Sequence, residues 1–537
     1  MYIYIWWTTI LTSFHSLSSP KVQLGDTTLV GRRLKPSNLD FFGGIPFADP
    51  PLRFAPAHPK FSLAPLRSFN ARSYGLSCLQ PVDADMSENC LTLNIFRPSG
   101  IENVASLPVM VWIHGGGFYS GASSIYDGSP LVKQSIARGT PILFVSMNYR
   151  VGPLGFPQGP EAVERAALNL GLRDQWAALE WVQRNIASFG GDPNKVTVFG
   201  QSAGALSASY HYLNENFSTV ARAAIFQSGI GSSLPLFDAH RGIPSWMLFA
   251  NNTQPCAMPA PSPNNTFSCL MSASSLDIHA GMKAAMAIEL FPFRPLLDGP
   301  GGILGDFPAR QVSRGAGKQV PFMAGTVLDE GTVFVPQDFK AGDITIWLNA
   351  NYSPSPFGSG ALKAGLEKLM SLYPDAPSAG SPFGTGNETF GTGPGYKRGA
   401  AIIGDMFFQA PRRFWSQTTS AFGTPSYAYI FTDPQPDATP AHGVFHSSEL
   451  YYLFRDLTKK GPLNTARLRR IMLDYWISFA VSLTPNDGKG TQRPYWETYD
   501  EAKKVLELNS NSTGLVPDVY RSFSIDFIIK MSDMLSL

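Results

Sequence analysis

The chain has 537 residues, a formal net charge of +2, 44% apolar residues and 15% charged residues. This composition is typical of a soluble globular protein with a large core, and the length exceeds the usual size of a single-core domain. Because the sequence contains no block of Lys and Arg, nothing in it would recruit nucleic acid or anionic lipid electrostatically.

The N-terminus is predicted to be a secretory signal peptide, residues 1–19. Its apolar stretch, residues 1–14, is too short to span a bilayer, and small polar residues follow it. No Lys or Arg precedes the stretch, so a frayed terminus is the alternative interpretation. We expect residues 20–537 to be the mature, extracellular chain without a stable membrane anchor.

Short apolar runs alternate with helical patterns along the chain. A helical pattern over Leu172–Phe189 lies between the second and third of these runs. Runs that are apolar on both faces suit central strands covered by helices, so the alternation predicts an α/β fold with a largely parallel sheet. Strands are predicted at Leu107–Ile113, Pro141–Met147, Val196–Phe199, Ala223–Phe226, Pro321–Gly325 and Ser426–Phe431.

Two irregular stretches, Cys256–Cys269 and Tyr373–Tyr396, are rich in turn-forming residues. Both are predicted to be surface excursions rather than linkers, because apolar periodic sequence resumes on either side. We therefore predict that residues 20–537 form one elaborated domain rather than two.

The four cysteines form two local groups, Cys78 with Cys90 and Cys256 with Cys269. Their even number and short spacing predict two disulfide-closed loops and an oxidising compartment, with buried free thiols as the alternative. Asn351 begins a triplet that is followed by proline and is a poorer glycan acceptor. Candidate N-glycosylation sites are Asn216, Asn251, Asn264, Asn387 and Asn511.

Ser202 is the candidate nucleophile. Gly200-Gln201-Ser202-Ala203-Gly204 matches the G-x-S-x-G pattern and lies between a predicted strand and a plausible helix. Such a turn would expose the serine Oγ at the carboxyl edge of the sheet, and the N-terminus of the helix would favour developing negative charge. An ordinary glycine-rich turn is the alternative.

A glycine-rich loop, His114–Phe118, follows the predicted strand that ends at Ile113. Its consecutive glycines leave backbone N–H groups unshielded, as an oxyanion requires. We predict that the N–H groups of Gly116, Gly117 and Ala203 form an oxyanion hole. A phosphate-binding loop is the alternative, but no Lys-Ser/Thr pair follows.

The base and the acid have two candidates each. Among eight histidines, His442 and His446 follow the predicted strand near residue 430, and residue types alone do not separate them. Asp329 and Glu330 follow the strand that begins at Pro321, which gives the chain order Ser, acid, His of an α/β-hydrolase triad. No cluster has metal-ligand spacing, so neither a metal nor an organic cofactor is predicted.

Further segments resemble the type-B carboxylesterase/lipase family, which includes the cholinesterases and lipases of the Candida rugosa kind. The resemblance covers nearly the whole mature chain, and its last two segments are similar to fungal members especially. It implies an α/β-hydrolase fold, with a large, mostly parallel central sheet flanked by helices and with long loop and helical insertions. These segments are Phe42–Pro51, Ser87–Leu91, Asn148–Arg150, Gly171–Val182, Phe189–Gly204, Ser381–Gly386 and Gly395–Asp405.

The resemblance implies a role for each candidate residue. It makes Ser202 the nucleophile, Glu330 rather than Asp329 the acid, and His446 rather than His442 the base. It also implies the Cys78–Cys90 and Cys256–Cys269 disulfides and an ion pair between Arg53 and Glu88. The activity it implies is hydrolysis of carboxylic esters through an acyl-enzyme.

Three departures from the family pattern bear on the substrate. Gln201 replaces the Glu that many members have before the nucleophile, and the segment Pro51–Phe54 is shortened. The loop between Cys78 and Cys90 holds no aromatic residue and is too short for a choline-binding tryptophan loop or a mobile lipase flap. We therefore expect an esterase with an open gorge that acts on small to medium esters. A lipase or sterol esterase, or a non-catalytic adhesion protein, is the alternative.

Overall fold

A computed structural model of the chain describes residues 19–82, 85–101, 105–257, 261–287, 289–435, 438–455, 463–500 and 502–537. The predicted signal peptide lies outside these residues except for Ser19. Within them, no helix is long and apolar enough to cross a membrane.

The strands of the described residues belong to three sheets, the largest with eleven strands. They are β1 Lys21–Leu24, β2 Thr27–Val30, β3 Arg32–Leu34, β4 Leu39–Pro46, β5 Ser68–Asn70, β6 Ser77–Cys78, β7 Met86–Ser87, β8 Thr92–Pro98, β9 Leu107–Ile113, β10 Leu143–Met147, β11 Gly191–Gln201, β12 Ala223–Gln227, β13 Phe322–Val327, β14 Ser426–Phe431, β15 Lys504–Leu508 and β16 Gly514–Pro517.

The large sheet has the order β16-β15-β14-β13-β12-β11-β9-β10-β8-β4-β3. Its neighbours from β15 through β10 pair in parallel, whereas the strands at both edges pair antiparallel. This mostly parallel sheet is the predicted fold class, which is confirmed. The strands outside the predicted central set, β3, β4, β8, β15 and β16, are absent from the sequence-based prediction.

The α-helices cover both faces of this sheet, and the predicted helix near residue 172 begins at Leu170. The sheet and helices separate two large clusters of buried apolar side chains. Val111 of β9 belongs to one cluster and its neighbour Trp112 to the other, as expected for a strand buried on both faces. The helices are α1 Ser129–Ala137, α2 Gly152–Gly155, α3 Pro160–Glu164, α4 Leu170–Asn185, α5 Ala203–Tyr212, α6 Ile243–Asn251, α7 Phe267–Ser272, α8 Ser275–Ala285, α9 Pro308–Ser313, α10 Asp343–Tyr352, α11 Ser359–Ser371, α12 Tyr396–Gly404, α13 Ala410–Ala421, α14 Leu450–Phe454, α15 Leu463–Ser482 and α16 Ser522–Lys530.

Disulfides close the two short cysteine loops, Cys78–Cys90 and Cys256–Cys269. Beside the first loop, the Arg53 guanidinium binds the Glu88 carboxylate through two nitrogens, at 2.6 and 2.8 Å. The Arg53 guanidinium also donates to two backbone carbonyls near the second loop, so this one side chain links the two disulfide regions.

Candidate active site

Ser202 lies at the sharp turn between strand β11 and helix α5. Its backbone has φ 56° and ψ −129°, a conformation that L-residues rarely adopt. The strand before it is held between β9 and β12, and the Ser202 N–H donates to the Gln227 carbonyl at the end of β12. The sheet and the helix therefore impose the strained turn that the G-x-S-x-G pattern predicts.

The two glycines of the pattern are required by close backbone contacts. A Cβ on Gly200 would lie 2.5 Å from the backbone of Gly204, and a Cβ on Gly204 would lie 2.1 Å from the Ile113 carbonyl oxygen. Real side chains do not tolerate either distance. The glycines thus let helix α5 begin directly against strands β9 and β11, which fixes where Ser202 emerges.

The loop after β9 lies against this turn. A Cβ on Gly115 would come within 3.0 Å of the Ser202 Cβ, and Gly116 and Gly117 have positive φ values of 115° and 62°. In the described part of the chain, no hydrogen bond uses the N–H of Gly116, Gly117 or Ala203. Three free donors near one serine are what an oxyanion hole requires.

The Cys78–Cys90 loop supports the chain that directly follows the glycine loop. The Gln80 side chain accepts a hydrogen bond from the Gly121 N–H at 2.8 Å and donates to the Gly121 carbonyl at 3.3 Å. The buried His114 ring lies at the start of the glycine loop, and its Nδ1 donates to the Gly115 carbonyl. Burial lowers the pKa of His114 to about 4, so this ring is neutral and has a structural role.

His446 and Glu330 are brought together by two neighbouring parallel strands. Glu330 follows β13, His446 lies on the loop after β14, and their side chains meet with Nδ1 2.6 Å from Oε2. The other carboxylate oxygen of Glu330 accepts the Val327 N–H at 2.9 Å. The Glu330 residue is 1% exposed and His446 is 8% exposed. A buried, oriented carboxylate of this kind fixes an imidazole in one tautomer and stabilises its protonated form.

Asp329, the other acid candidate, binds loops rather than a histidine. Its Oδ1 accepts hydrogen bonds from the Ser381 hydroxyl and the Phe383 N–H, both at 2.8 Å, and its Oδ2 accepts the Val444 N–H at 2.9 Å. Burial raises the pKa of Asp329, although these bonds oppose the rise. These hydrogen bonds of Asp329 connect the irregular stretch Tyr373–Tyr396 to the loop that carries His446.

His442, the other base candidate, is on the same loop but contacts no carboxylate among the described residues. Its Nε2 lies 3.5 Å from the Gln337 amide, and its backbone carbonyl accepts the Thr332 hydroxyl at 2.8 Å. Of the two histidines that the residue types left unresolved, His446 is the one that contacts a carboxylate among the described residues.

The Gln201 side chain lies next to Nε2 of His446. The Gln201 Nε2 lies 3.1 Å from His446 Nε2 and 2.8 Å from the Ser447 hydroxyl. In the described structure no hydrogen bond joins the Ser202 hydroxyl to His446. Catalytic contacts often tighten only when substrate is bound, so this resting geometry is compatible with a Ser-His pair.

A narrow apolar cavity of about 20 Å³ opens at Ser202. Phe407 and Phe408 both line it because they lie in a π-helical turn, 405–409, between helices α12 and α13. Phe334 and Phe408 also contact the His446 ring, with centroid distances of 5.0 and 4.7 Å. These aromatic residues are not predictable from the sequence, since their helical context resembles ordinary core. The cavity is lined by Gly117, Phe118, Ser202, Ala203, Leu206, Ser233, Leu234, Phe291, Phe334, Phe407 and Phe408.

Glu449 is a second buried carboxyl group beside the site, and no sequence motif marks it. Burial and, to a smaller extent, the nearby Glu330 raise its pKa to about 8. Its Oε1 accepts a hydrogen bond from the Gln227 amide at 3.3 Å, and the Gln227 oxygen in turn accepts the Trp476 indole N–H. Glu449 is therefore neutral at moderately acidic pH and adds little charge beside the site.

This fold, with a serine at the strand–helix turn and a glycine loop beside it, is that of an α/β-hydrolase. The chain belongs to the carboxylesterase family, whose pattern it matches over residues 18–527, and it is a carboxylic ester hydrolase. It is 35% identical to Lipase 2 of Geotrichum candidum over 94% of both chains. It is 32% identical to a secreted triacylglycerol lipase of Gibberella zeae, over 91% of this chain and 87% of that one.

A solved structure is also similar. The crystal structure of EstA of Aspergillus niger superimposes with a TM-score of 0.83 at 25% identity, and the match covers 97% of this chain and 99% of that one. The resemblance to the carboxylesterase/lipase family drawn from sequence motifs is thus confirmed, as is the prediction of an ester hydrolase.

Proposed function

We propose that the chain is a secreted serine esterase that hydrolyses small to medium or lipid-like carboxylic esters through an acyl-enzyme on Ser202. Glu330 orients His446, and the N–H groups of Gly116, Gly117 and Ala203 form the oxyanion hole. The observation that carries the proposal is the 2.6 Å contact between His446 Nδ1 and Glu330 Oε2, on loops at the sheet edge from which Ser202 emerges.

The proposed reaction has two steps. His446 takes the proton of the Ser202 hydroxyl as its oxygen attacks the ester carbonyl, and the oxyanion hole stabilises the tetrahedral intermediate. The protonated His446 then donates to the leaving alcohol. Water attacks the acyl-enzyme by the same sequence and releases the acid. The proposed steps use no metal and no organic cofactor.

Active-site labelling tests the nucleophile. A fluorophosphonate probe should modify Ser202 of the folded wild-type protein, and peptide mass spectrometry locates the adduct. Ser202→Ala should abolish both labelling and ester hydrolysis. Ser233→Ala is the matched control, because Ser233 lines the same cavity and is 1% exposed. Labelling that persists in Ser202→Ala, or a folded wild type without an adduct, would contradict the proposal.

The aromatic cavity supports a preference for short acyl groups. A volume of about 20 Å³ holds little more than one water molecule, so a long acyl chain would require the phenylalanine rings to turn away. We expect kcat/KM for p-nitrophenyl esters to fall as the acyl chain lengthens. Phe407→Ala should move the optimum toward longer chains, and an unchanged optimum would argue against this cavity as the acyl site.

A lipase or sterol esterase acting on long-chain esters is the second candidate, favoured by the two relatives named as lipases. Comparing soluble p-nitrophenyl butyrate with emulsified long-chain triglyceride separates the two candidates. A sharp rise in rate on emulsified substrate would support the lipase. A folded protein that gives neither activity nor labelling would contradict both candidates.

Secretion is part of the proposal and has its own test. The two disulfides and the relative named as a secreted lipase support an extracellular protein. When the full chain is expressed in a fungal host, the protein should accumulate in the medium with a new N-terminus near residue 20. Protein that stays in the cells with Met1 retained would contradict this part.

A further inference from the structure

Gln201 is the polar side chain that faces the base nitrogen of His446. The Gln201 residue is 2% exposed, and its amide nitrogen lies 3.1 Å from His446 Nε2 and 2.8 Å from the Ser447 hydroxyl. On its other side, the Gln201 Oε1 lies against the backbone of Gly115, where an added Cβ would be 3.2 Å away. Contacts on both sides therefore hold the amide in place.

The contact with Glu330 decides which protons these groups carry. His446 Nδ1 lies 2.6 Å from a buried carboxylate oxygen, so Nδ1 carries a proton and donates it to Glu330. In the neutral ring Nε2 then holds a lone pair, and only a donor can lie opposite it. The Gln201 amide supplies an N–H there, and its second N–H is directed at Ser447.

A carboxylate in the same place would act in the opposite way. It has no N–H to donate, so it would bind His446 only when Nε2 is also protonated. The imidazolium form would be stabilised, and that form cannot accept the Ser202 proton. An amide instead favours the neutral ring with its lone pair at Nε2.

We propose that Gln201 is a positioning residue that holds His446 in the neutral, Nδ1-protonated tautomer and thereby extends esterase activity to lower pH. This inference rests on the proposed function, since it assumes that His446 is the base for Ser202. The amide yields Nε2 to the Ser202 hydroxyl when substrate binds, and the proton then moves from Ser202 Oγ to His446 Nε2.

Among the groups around His446, Glu330 carries the main charge that the ring faces. Phe334 and Phe408 contact the ring and are apolar. Glu449 lies three residues along the loop and near Glu330, but burial keeps it protonated at moderately acidic pH. Asp329 binds three donors on neighbouring loops. A second carboxylate at position 201 would therefore be a large change in the local charge.

The test compares Gln201→Glu with Gln201→Met. Glutamate keeps the size of the side chain and adds a charge, whereas methionine keeps much of the size and removes both charge and hydrogen bonding. We expect Gln201→Glu to raise the pKa of the acid limb of kcat/KM by roughly one to three units, the usual effect of an adjacent opposite charge. Gln201→Met removes the N–H donor without adding a charge, so it should lower the plateau and move the limb upward by less than Gln201→Glu does.

The NMR resonance of the His446 Nδ1 proton gives a readout independent of turnover. Its titration midpoint should move upward in Gln201→Glu and by less in Gln201→Met. Superimposable acid limbs and midpoints in wild type and Gln201→Glu would overturn the inference, as would equal shifts in both variants. Failure of the proposed function is distinguishable, because the wild type would then show neither fluorophosphonate labelling at Ser202 nor esterase activity.

Discussion

Replacing each of the two adjacent acids, Glu330 and Asp329, tests which of them serves the proposed base and which one holds the loops. In Glu330→Gln the amide oxygen must face the Val327 N–H, which the carboxylate accepts at 2.9 Å. The amide nitrogen then faces His446 Nδ1, now donor against donor. The ring responds by moving its proton to Nε2, where it can no longer accept the proton of Ser202.

The size of this effect follows from the tautomer. Loss of the base-competent tautomer in a serine triad lowers kcat by about 10⁴-fold, which corresponds to about 5 kcal/mol of activation free energy. The fold should survive, because glutamine fills the same buried space. We therefore expect Glu330→Gln to have a nearly wild-type unfolding temperature and a very small kcat.

Asp329→Asn is the matched control. Asparagine cannot accept all three hydrogen bonds, so at least one buried donor, from Ser381, Phe383 or Val444, loses its partner. We expect a loss of about 1–3 kcal/mol in the free energy of unfolding and a decrease in kcat of less than about tenfold. The measurements are kcat with p-nitrophenyl butyrate and urea unfolding. The reasoning fails if the folded Asp329→Asn enzyme loses as much kcat as Glu330→Gln.

Three further outcomes are expected. Replacing Cys78 and Cys90 together by serine should lower the free energy of unfolding by about 3 kcal/mol in urea, given their sequence separation of 12, and an unchanged stability would contradict this. Burial raises the pKa of Glu449 from 4.5 to about 8, so the folded chain binds this proton more tightly than the unfolded chain does. The stabilisation that comes from the bound proton is lost as pH rises through this range. Glu449→Gln should therefore lose less unfolding free energy than wild type between about pH 5 and about pH 8, and equal losses would refute the assignment. Finally, peptide N-glycosidase should increase the electrophoretic mobility of protein collected from the medium of a fungal host. Mass spectrometry should find glycans at exposed sequons and none at Asn351, which is 8% exposed. Those exposed sequons are Asn216, Asn251, Asn264, Asn387 and Asn511.

The centre of the sheet was predictable because its strands are apolar on both faces. The strands outside this centre were not, and β8 shows why. It is fully buried but contains Asn94 and Arg97, which break the apolar run. Asn94 is satisfied by the Gly44 N–H and by the hydroxyls of Ser123 and Ser146. Partners this distant in sequence leave no local signal.

The candidate site likewise has a part that was predictable from the sequence and a part that was not. Ser202 and the glycine loop were predictable because their backbone geometry depends on adjacent residues. The choice of His446 over His442 depends on which ring reaches Glu330, and 116 residues separate that pair. The pairing of Phe407 with Phe408 depends on a π-helical turn that residue types do not reveal. Here the family resemblance supplied the proposed base, and nothing in the sequence indicated the aromatic cavity.

The backbone conformation of Ser202 has a consequence for the stability of the whole chain. A non-glycine residue in such a sparsely populated region costs about 1–3 kcal/mol, and this cost falls on the proposed nucleophile itself. Glycine would adopt the same angles without strain. Selection for stability alone would therefore favour glycine at position 202, and the proposed catalytic role of Ser202 gives a reason for the serine.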